Sequence, residues 1–376
     1  MPTKHAKLSA SGSHRWLNCL GSVEAEEGLK DKTSSAANEG TCAHELAELV
    51  LTRGGSCQDW VGKPLVENNE FIVTQEMADY IQEYVDFVKT LPGEHYYEQR
   101  VDFSDWVPEG FGTSDLITIG DDFICCVDLK YGKGLKVDAE NNPQAMLYAL
   151  GAYAEYELTH DIQEVVIYIH QPRLDHISEW RISIEDLLKW GAWVVSQCEI
   201  IAEGNAPRTP GEKQCQWCKA KATCPALKSY TEKIIMAEFD ELDAPPDPTT
   251  LSPTQLRNIL DAKKLIESWL SAVESHAKET LENGNDFPGF KLVEGRSVRK
   301  WADESEAAET LTNLLGEQAY EKKILTPAKA EKALGKAKKA EIESLIIKPQ
   351  GAPTLAPESD KRPALNISEK DFDGFE

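Results

Sequence analysis

The sequence predicts an α/β fold in which helices flank a mixed β-sheet. Two observations favour it. The spacing of apolar residues changes from helical to strand-like and back along residues 39–202, and the predicted order is helices, three strands, a helix, two strands and a helix. With 376 residues, the chain is long enough for two or three units with sizeable cores.

Each element follows from its own pattern. The predicted helices, in which apolar residues recur three or four positions apart, span 39–53, 74–90, 143–156 and 186–202. The predicted strands span 98–103, 112–119, 122–129, 165–170 and 177–184. The turn Gly120-Asp-Asp predicts that the second and third strands form a hairpin.

Composition divides the chain into four segments. A first unit is predicted over 1–235, followed by an acidic, proline-rich linker over 236–251 that has no apolar periodicity. Residues 252–346 are predicted to form a mainly helical C-terminal region. Residues 347–376, which contain four prolines and an acidic, aromatic end, are predicted to be a disordered tail.

Charge and hydropathy exclude several classes of protein. The 64 acidic and 40 basic residues leave a net charge of −24, which argues against nucleic-acid binding over a broad surface but not within a local groove. No apolar run approaches the roughly 20 residues of a membrane span, so no membrane partner is expected. The polar start resembles no secretory signal, and the reducing cytoplasm is the predicted compartment.

Two acids and a lysine lie at strand ends. Asp115 follows Gly112-Thr-Ser near the start of one predicted strand, and Asp128 and Lys130 end the next one. If these strands are adjacent and antiparallel, the two carboxylates approach each other and repel unless a divalent cation lies between them. A neighbouring lysine suits metal-assisted phosphodiester hydrolysis, although Asp-x-Lys is also a common tripeptide at strand ends.

The order and spacing of these motifs resemble the RecB-like branch of the PD-(D/E)XK nuclease superfamily. Gln144 and Tyr148 match the Gln-x-x-x-Tyr motif of that branch, and the sequence Gly-Thr-Cys-Ala-His44 matches its metal-ligating histidine. The resemblance implies a restriction-endonuclease-like mixed sheet, catalytic roles for Asp115, Asp128, Lys130, Gln144 and Tyr148, and a metal held by His44, Asp115 and Asp128.

The predicted metal is Mn²⁺ or Mg²⁺, and an imidazole ligand favours manganese. Many members of the family have glutamate where this chain has Asp128, and the family accepts either residue. Glu98, on the first predicted strand, is either an additional acid near the metal or an exposed strand glutamate, with equal weight.

Four of the nine cysteines have the spacing of ligands. Cys215, Cys218 and Cys224 fall within ten residues, and Cys19 near the N-terminus is the candidate for a fourth ligand. Nucleases of the AddB type and CRISPR-associated exonucleases place cysteines in this way around a [4Fe-4S] cluster, and the resemblance implies the same here. From the residues alone, structural zinc suits four thiolates equally well.

The predicted function is therefore a metal-dependent DNA exonuclease that acts in phage recombination or replication, in the cytoplasm of a bacterial host. Its predicted partners are DNA and, through the acidic, aromatic tail, a recombination or replication protein of phage or host. The alternative is a catalytically inactive nucleic-acid-binding or scaffold protein that retains the fold and the cluster. A restriction-type endonuclease is a third possibility, which the cysteine pattern disfavours.

Overall fold

The computed structural model describes residues 6–29, 35–65, 72–238, 252–293 and 304–315, with the isolated residues 319, 327, 330, 345 and 346. The chain divides into two compact units, residues 1–286 and 287–376, and the candidate sites lie in the first. No helix in the described ranges combines the length and the apolar character that a bilayer crossing requires.

The first unit is an α/β structure with one five-stranded sheet. Its strands are β1 (Glu94–Asp102), β2 (Phe111–Ile119), β3 (Phe123–Leu129), β4 (Glu164–Gln171) and β5 (His176–Ser183). They lie in the order β1-β2-β3-β4-β5, and every neighbouring pair is antiparallel except β3 and β4, which are parallel. The fold-class prediction of a mixed sheet flanked by helices is confirmed.

The helices of this unit lie on both sides of the sheet and in the chain segments before and after it. They are α1 (Ser13–Trp16), α2 (Ser22–Ala25), α3 (Ser35–Arg53), α4 (Gln75–Val88), α5 (Pro143–Tyr156), α6 (Ile184–Ala202), α7 (Glu212–Cys215), α8 (Pro225–Glu238) and α9 (Pro253–Glu282). Short 3₁₀ helices cover Cys57–Trp60, Pro172–Leu174 and Lys221–Thr223. The second unit contains α10 (Glu304–Leu315).

Side chains alternate along the strands, so the sheet has an apolar core on each face. One core joins the sheet to α5 and α6 and contains Ile117, Ile167 and Leu150. The other joins it to α3 and α4 and contains Leu46 and Ile81. Side chains from helices on both faces can therefore reach the strands of the sheet.

Helix ends follow from local capping. Asn142 precedes α5, and its side-chain oxygen accepts a hydrogen bond from the backbone N–H of Ala145 at 3.2 Å. Pro143 occupies the first helical position, where its missing N–H would have no partner. Both features lie in the local sequence, and α5 spans the predicted 143–156.

Other element ends differ from the prediction by a few residues. β1 begins at Glu94 rather than at residue 98, because pairing with the end of β2 keeps residues 94–97 extended. α3 begins at Ser35, four residues before the predicted start. Ile184 opens α6 instead of ending β5, because the Ser183 side chain accepts a hydrogen bond from the backbone N–H of Asp186 and caps the helix there.

Residues 252–286, predicted to belong to a separate C-terminal region, are part of the first unit. α9 packs against α8 and the cysteine segment, where Cys215, Leu227 and Leu265 form a small apolar cluster. Most of the predicted linker and the whole predicted tail 347–376, with its partner-binding role, lie outside the described residues.

Candidate metal centre and cysteine cluster

Three acidic residues lie opposite one another on adjacent strands. The antiparallel registers of β1 with β2 and of β2 with β3 place Glu98, Asp115 and Asp128 in one row across the sheet. At this row the backbone pairing of β1 with β2 is interrupted, and that of β2 with β3 ends beside it. The backbone N–H of Leu129 donates instead to Oδ2 of Asp115 at 2.7 Å. The carboxylate of Asp115 thus accepts a hydrogen bond that a backbone carbonyl of β2 would accept in a regular antiparallel pair.

Glu98 has an unusual backbone conformation within β1. Its φ of +44° lies in the left-handed region, which is uncommon for a residue other than glycine. Such strain of about 1–3 kcal/mol persists only where the surrounding structure imposes it, and it concentrates at functional sites. Here the paired residues on either side hold Glu98 in place.

His44 brings an imidazole from α3 to this row. Its Nδ1 lies 3.1 Å from Oδ1 of Asp115. The ligand atoms of His44, Glu98 and Asp115 all lie within 4.8 Å of one another, so the three can hold one metal ion. His44 and Asp115 were predicted ligands, whereas Asp128, the third predicted ligand, is not part of this group of three. Of the two alternatives for Glu98, the structure shows the acid near the candidate metal site and not an exposed strand glutamate.

The electrostatics of the cluster reflect crowded charges. Burial alone would lower the pKa of His44, but Asp115, Asp128 and Glu98 outweigh it and raise the pKa to about 9. Burial, together with the charge of Asp115, raises the pKa of Glu98 to about 7. Burial also tends to raise the pKa of Asp115, but His44 and Lys130 lower it overall. The carboxylates of Glu98, Asp115 and Asp128 lie close enough to repel one another, and a bound cation would relieve this repulsion.

Asp128, Lys130, Gln144 and Tyr148 form a connected chain from β3 to α5. The Lys130 ammonium donates to Oδ1 of Asp128 and to Oε1 of Gln144, both at 3.0 Å. The Gln144 amide in turn donates to the Tyr148 hydroxyl at 3.3 Å. Burial lowers the pKa of Lys130, but Asp128 and Asp115 raise it overall, so the side chain is a cation. The structure therefore brings together four of the five predicted catalytic residues in this chain, and Asp115, the fifth, lies opposite Asp128 on β2.

The buried carboxylate of Asp128 retains an oxygen without a hydrogen bond. Oδ2 lies 2.9 Å from the Lys130 ammonium but outside hydrogen-bonding geometry, and no donor among the described residues reaches it. Burial raises the pKa of Asp128 against the opposing charge of Lys130. An unsatisfied buried carboxylate oxygen beside Asp115, with an imidazole near, is a donor set that suits Mn²⁺ or Mg²⁺.

A glycine makes room for Tyr148. A Cβ atom added to Gly112 would lie 2.7 Å from Cε1 of the Tyr148 ring, well inside contact distance. The glycine that begins the Gly-Thr-Ser-Asp115 motif thus allows α5 to approach β2 closely. This close approach helps to position Gln144 beside Lys130.

Sequence reasoning missed two polar residues near this site. The buried Tyr84 hydroxyl on α4 has no hydrogen-bond partner among the described residues, and burial and the charges of Asp115 and Asp128 raise its pKa. Arg173, after β4, pairs with Glu39 of α3 at 3.1 Å. It also lies over the ring of Tyr131, the residue after Lys130, at 4.5 Å. Neither residue belongs to a recognisable local motif, so only proximity identifies them.

The four predicted cysteine ligands line one recess beside α2, α7 and α8. The backbone N–H of Thr209 donates to Sγ of Cys19 at 3.3 Å, and that of Gly211 donates to Sγ of Cys215 at 3.5 Å. Burial raises the pKa of Cys218 to about 12, so a bound cation would be needed to keep its thiolate form. Cys19 therefore does meet the distant Cys-x-x-Cys segment.

The comparisons with known proteins match most of the chain to one family. A family model described as "Protein of unknown function (DUF2800)" matches residues 5–363. Among solved structures, the chain is similar to one described as "Crystal structure of SSO0001", at 15% sequence identity with a TM-score of 0.24. This similarity covers 54% of this chain and 93% of the other chain, and at that TM-score it supports no particular function.

Proposed function

We propose that this chain, which belongs to the DUF2800 family, is a divalent-metal-dependent deoxyribonuclease that acts as an exonuclease. DUF2800 is a phage-associated family, which suits a role in phage recombination or replication. The observation that supports the proposal is the row of Glu98, Asp115 and Asp128, with His44 and Lys130 converging on it.

Asp115 is central to the proposed metal site. His44 and Glu98 have ligand atoms within 4.8 Å of its carboxylate, and Asp128 lies opposite it on β3. A bound Mn²⁺ or Mg²⁺ would polarise a phosphoryl oxygen and make water a better nucleophile. The protein contributes ligands in a fixed arrangement, because Leu129 holds one oxygen of Asp115 through its backbone N–H.

Lys130 supplies the positive charge of the proposed mechanism. Asp128 and Gln144 hold its ammonium from two directions, so it can donate to a phosphate oxygen as negative charge develops there. Tyr148 keeps Gln144 in place through a hydrogen bond. Gln144 and Tyr148 are therefore proposed to position Lys130.

We propose that Cys19, Cys215, Cys218 and Cys224 hold a [4Fe-4S] cluster. Backbone N–H donors to two of the sulfur atoms are the kind of contact that tunes such clusters. Four thiolates on a tetrahedral zinc ion would lie about 3.8 Å apart, given Zn–S bonds of about 2.3 Å. Structural zinc is the alternative occupant of the same four thiolates.

The proposed test is digestion of end-labelled linear DNA and of circular DNA with Mn²⁺ or Mg²⁺. We expect the linear DNA to be degraded from its ends, the circular DNA to persist and EDTA to stop the reaction. Lys130→Met should reduce the rate by about a hundredfold or more, whereas Lys189→Met, on an exposed position of α6, should leave it unchanged. Full activity in EDTA or in Lys130→Met would refute the proposal, and cleavage of circular DNA would indicate an endonuclease.

A further inference from the structure

The turn between two of the cysteines presents a large aromatic side chain to solvent. Trp217, in Cys215-Gln-Trp-Cys218, is 76% exposed, compared with 44% for Trp193 on α6. A single exposed apolar residue is ordinary, but an exposed tryptophan forgoes an unusually large area of burial. The charges of the residues around Trp217 therefore indicate what kind of ligand its ring would bind.

The segment that carries Trp217 is basic in a strongly acidic protein. Residues 206–224 contain four basic residues and one acidic residue, a net charge of +3, whereas the whole chain carries −24. Lys213 and Lys219 are exposed, and Arg208 is half-buried. The charge of Lys213 also reaches His14 of α1, whose pKa is lowered by burial and by Lys213. Lys213 thus lies near α1.

The backbone beside Trp217 is held firmly. The Lys221 ammonium donates to the carbonyl of Gln216 at 3.1 Å and to the Ser268 hydroxyl of α9 at 2.8 Å. The backbone N–H of Cys218 donates to the carbonyl of Cys215 at 3.3 Å. An indole on such a turn loses little freedom when a ligand stacks on it, which favours binding.

We propose that Trp217 is a stacking platform for a base of single-stranded DNA, with Lys213 and Arg208 neutralising the adjacent phosphates. This inference rests on the proposed function and adds that the DNA bound at this surface is single-stranded. Base faces are free to stack in single strands but not within a duplex, and an aromatic ring among cations is the usual combination for binding them. The surface is connected to α5, which carries Gln144 and Tyr148, because α1 packs against both α7 and α5.

The test measures binding of a fluorescein-labelled 20-nucleotide dT strand to the full-length holoprotein by fluorescence anisotropy, in EDTA to prevent cleavage. Trp217→Ala should weaken binding by about 5- to 150-fold, and Trp217→Phe should retain most of the affinity. Trp193→Ala is the matched control, and we expect it to bind as the wild type does. Lys213→Gln should reduce the slope of log affinity against log salt by about 0.7.

A second measurement needs no variant. A strand of the same length made of abasic residues keeps its phosphates but cannot stack, so the wild-type protein should bind it more weakly than dT. Equal affinity for both strands, or for dT by the wild type and Trp217→Ala, would overturn the inference. Trp217-dependent binding of a poly-glutamate peptide without binding of dT would also overturn it, in favour of an acidic protein partner.

The outcome is separable from that of the nuclease proposal. Trp217-dependent binding of dT by a protein that cleaves no DNA would retain the platform and reject the nuclease. Cleavage by a protein that binds dT and the abasic strand equally would retain the nuclease and reject the platform.

Discussion

Replacing Glu98 by glutamine should stabilise the metal-free protein and weaken its binding of metal. The side chain keeps its size, and its negative charge is removed from the row that it shares with Asp115 and Asp128. A residue that serves a metal site is expected to cost stability in the absence of metal, and here the cost can be calculated from the structure.

The magnitude follows from the pKa of Glu98, which burial and Asp115 raise from 4.5 to about 7. An acid whose pKa is raised by folding destabilises the folded state once it is ionised. The penalty is absent below pH 4.5, grows between pH 4.5 and 7 and is complete above pH 7. The shift corresponds to roughly 3 kcal/mol, which we reduce to roughly 2 kcal/mol because the side chain is partly exposed to solvent.

The assay is urea unfolding of the wild type and Glu98→Gln in EDTA at pH 8 and at pH 4.5. We expect the variant to be more stable by roughly 2 kcal/mol at pH 8, with little difference at pH 4.5. Glu94→Gln, at an exposed position of the same strand, is the control and should change little. Calorimetric titration with Mn²⁺ should show an affinity for Glu98→Gln at least tenfold lower than for the wild type.

Two results would refute this reasoning. A variant no more stable than the wild type at pH 8 would mean that Glu98 is not crowded by Asp115. Unchanged affinity for Mn²⁺ would mean that Glu98 is not a ligand, whatever its effect on stability.

Three further predictions test other parts of the structure. Gly112→Ala should lower the unfolding free energy by about 1–3 kcal/mol in urea and slow single-turnover DNA cleavage, because its Cβ would displace the ring of Tyr148; unchanged values would contradict the close approach. His170 has a pKa lowered to about 4 by burial, so the wild type should lose about 3 kcal/mol relative to His170→Phe as the pH falls from 6.5 to 4 in the same urea assay; a difference between the two proteins that does not change with pH would contradict this. Cys19→Ser should reduce the iron content per chain, whereas Cys198→Ser, at a buried position in α6, should retain it; equal iron contents would exclude Cys19 as a ligand.

Local sequence was sufficient for the main elements, and the resemblance to a nuclease family supplied most residues of the candidate site. α5 was predicted at its observed bounds from its apolar period, and the Asn142 cap and Pro143 in the first helical position explain why it begins there. The hairpin of β2 and β3 followed from strand-like runs around Gly120-Asp-Asp, whose ends are joined by a hydrogen bond from Gly120 N–H to the carbonyl of Phe123 at 2.9 Å. Such features depend on residues close together in the chain, which a sequence displays directly.

The role of Glu98 depended on contacts between distant parts of the chain. As a sequence position it suited a metal ligand and an exposed strand glutamate equally. The register of β1 against β2 and the positive φ of Glu98 place its carboxylate within reach of His44, which comes from a helix more than fifty residues earlier. The spacing of residues in the sequence gives neither the register of β1 nor the φ of Glu98. Register is set by side-chain packing across strands, and the strained φ is imposed by the paired residues on either side.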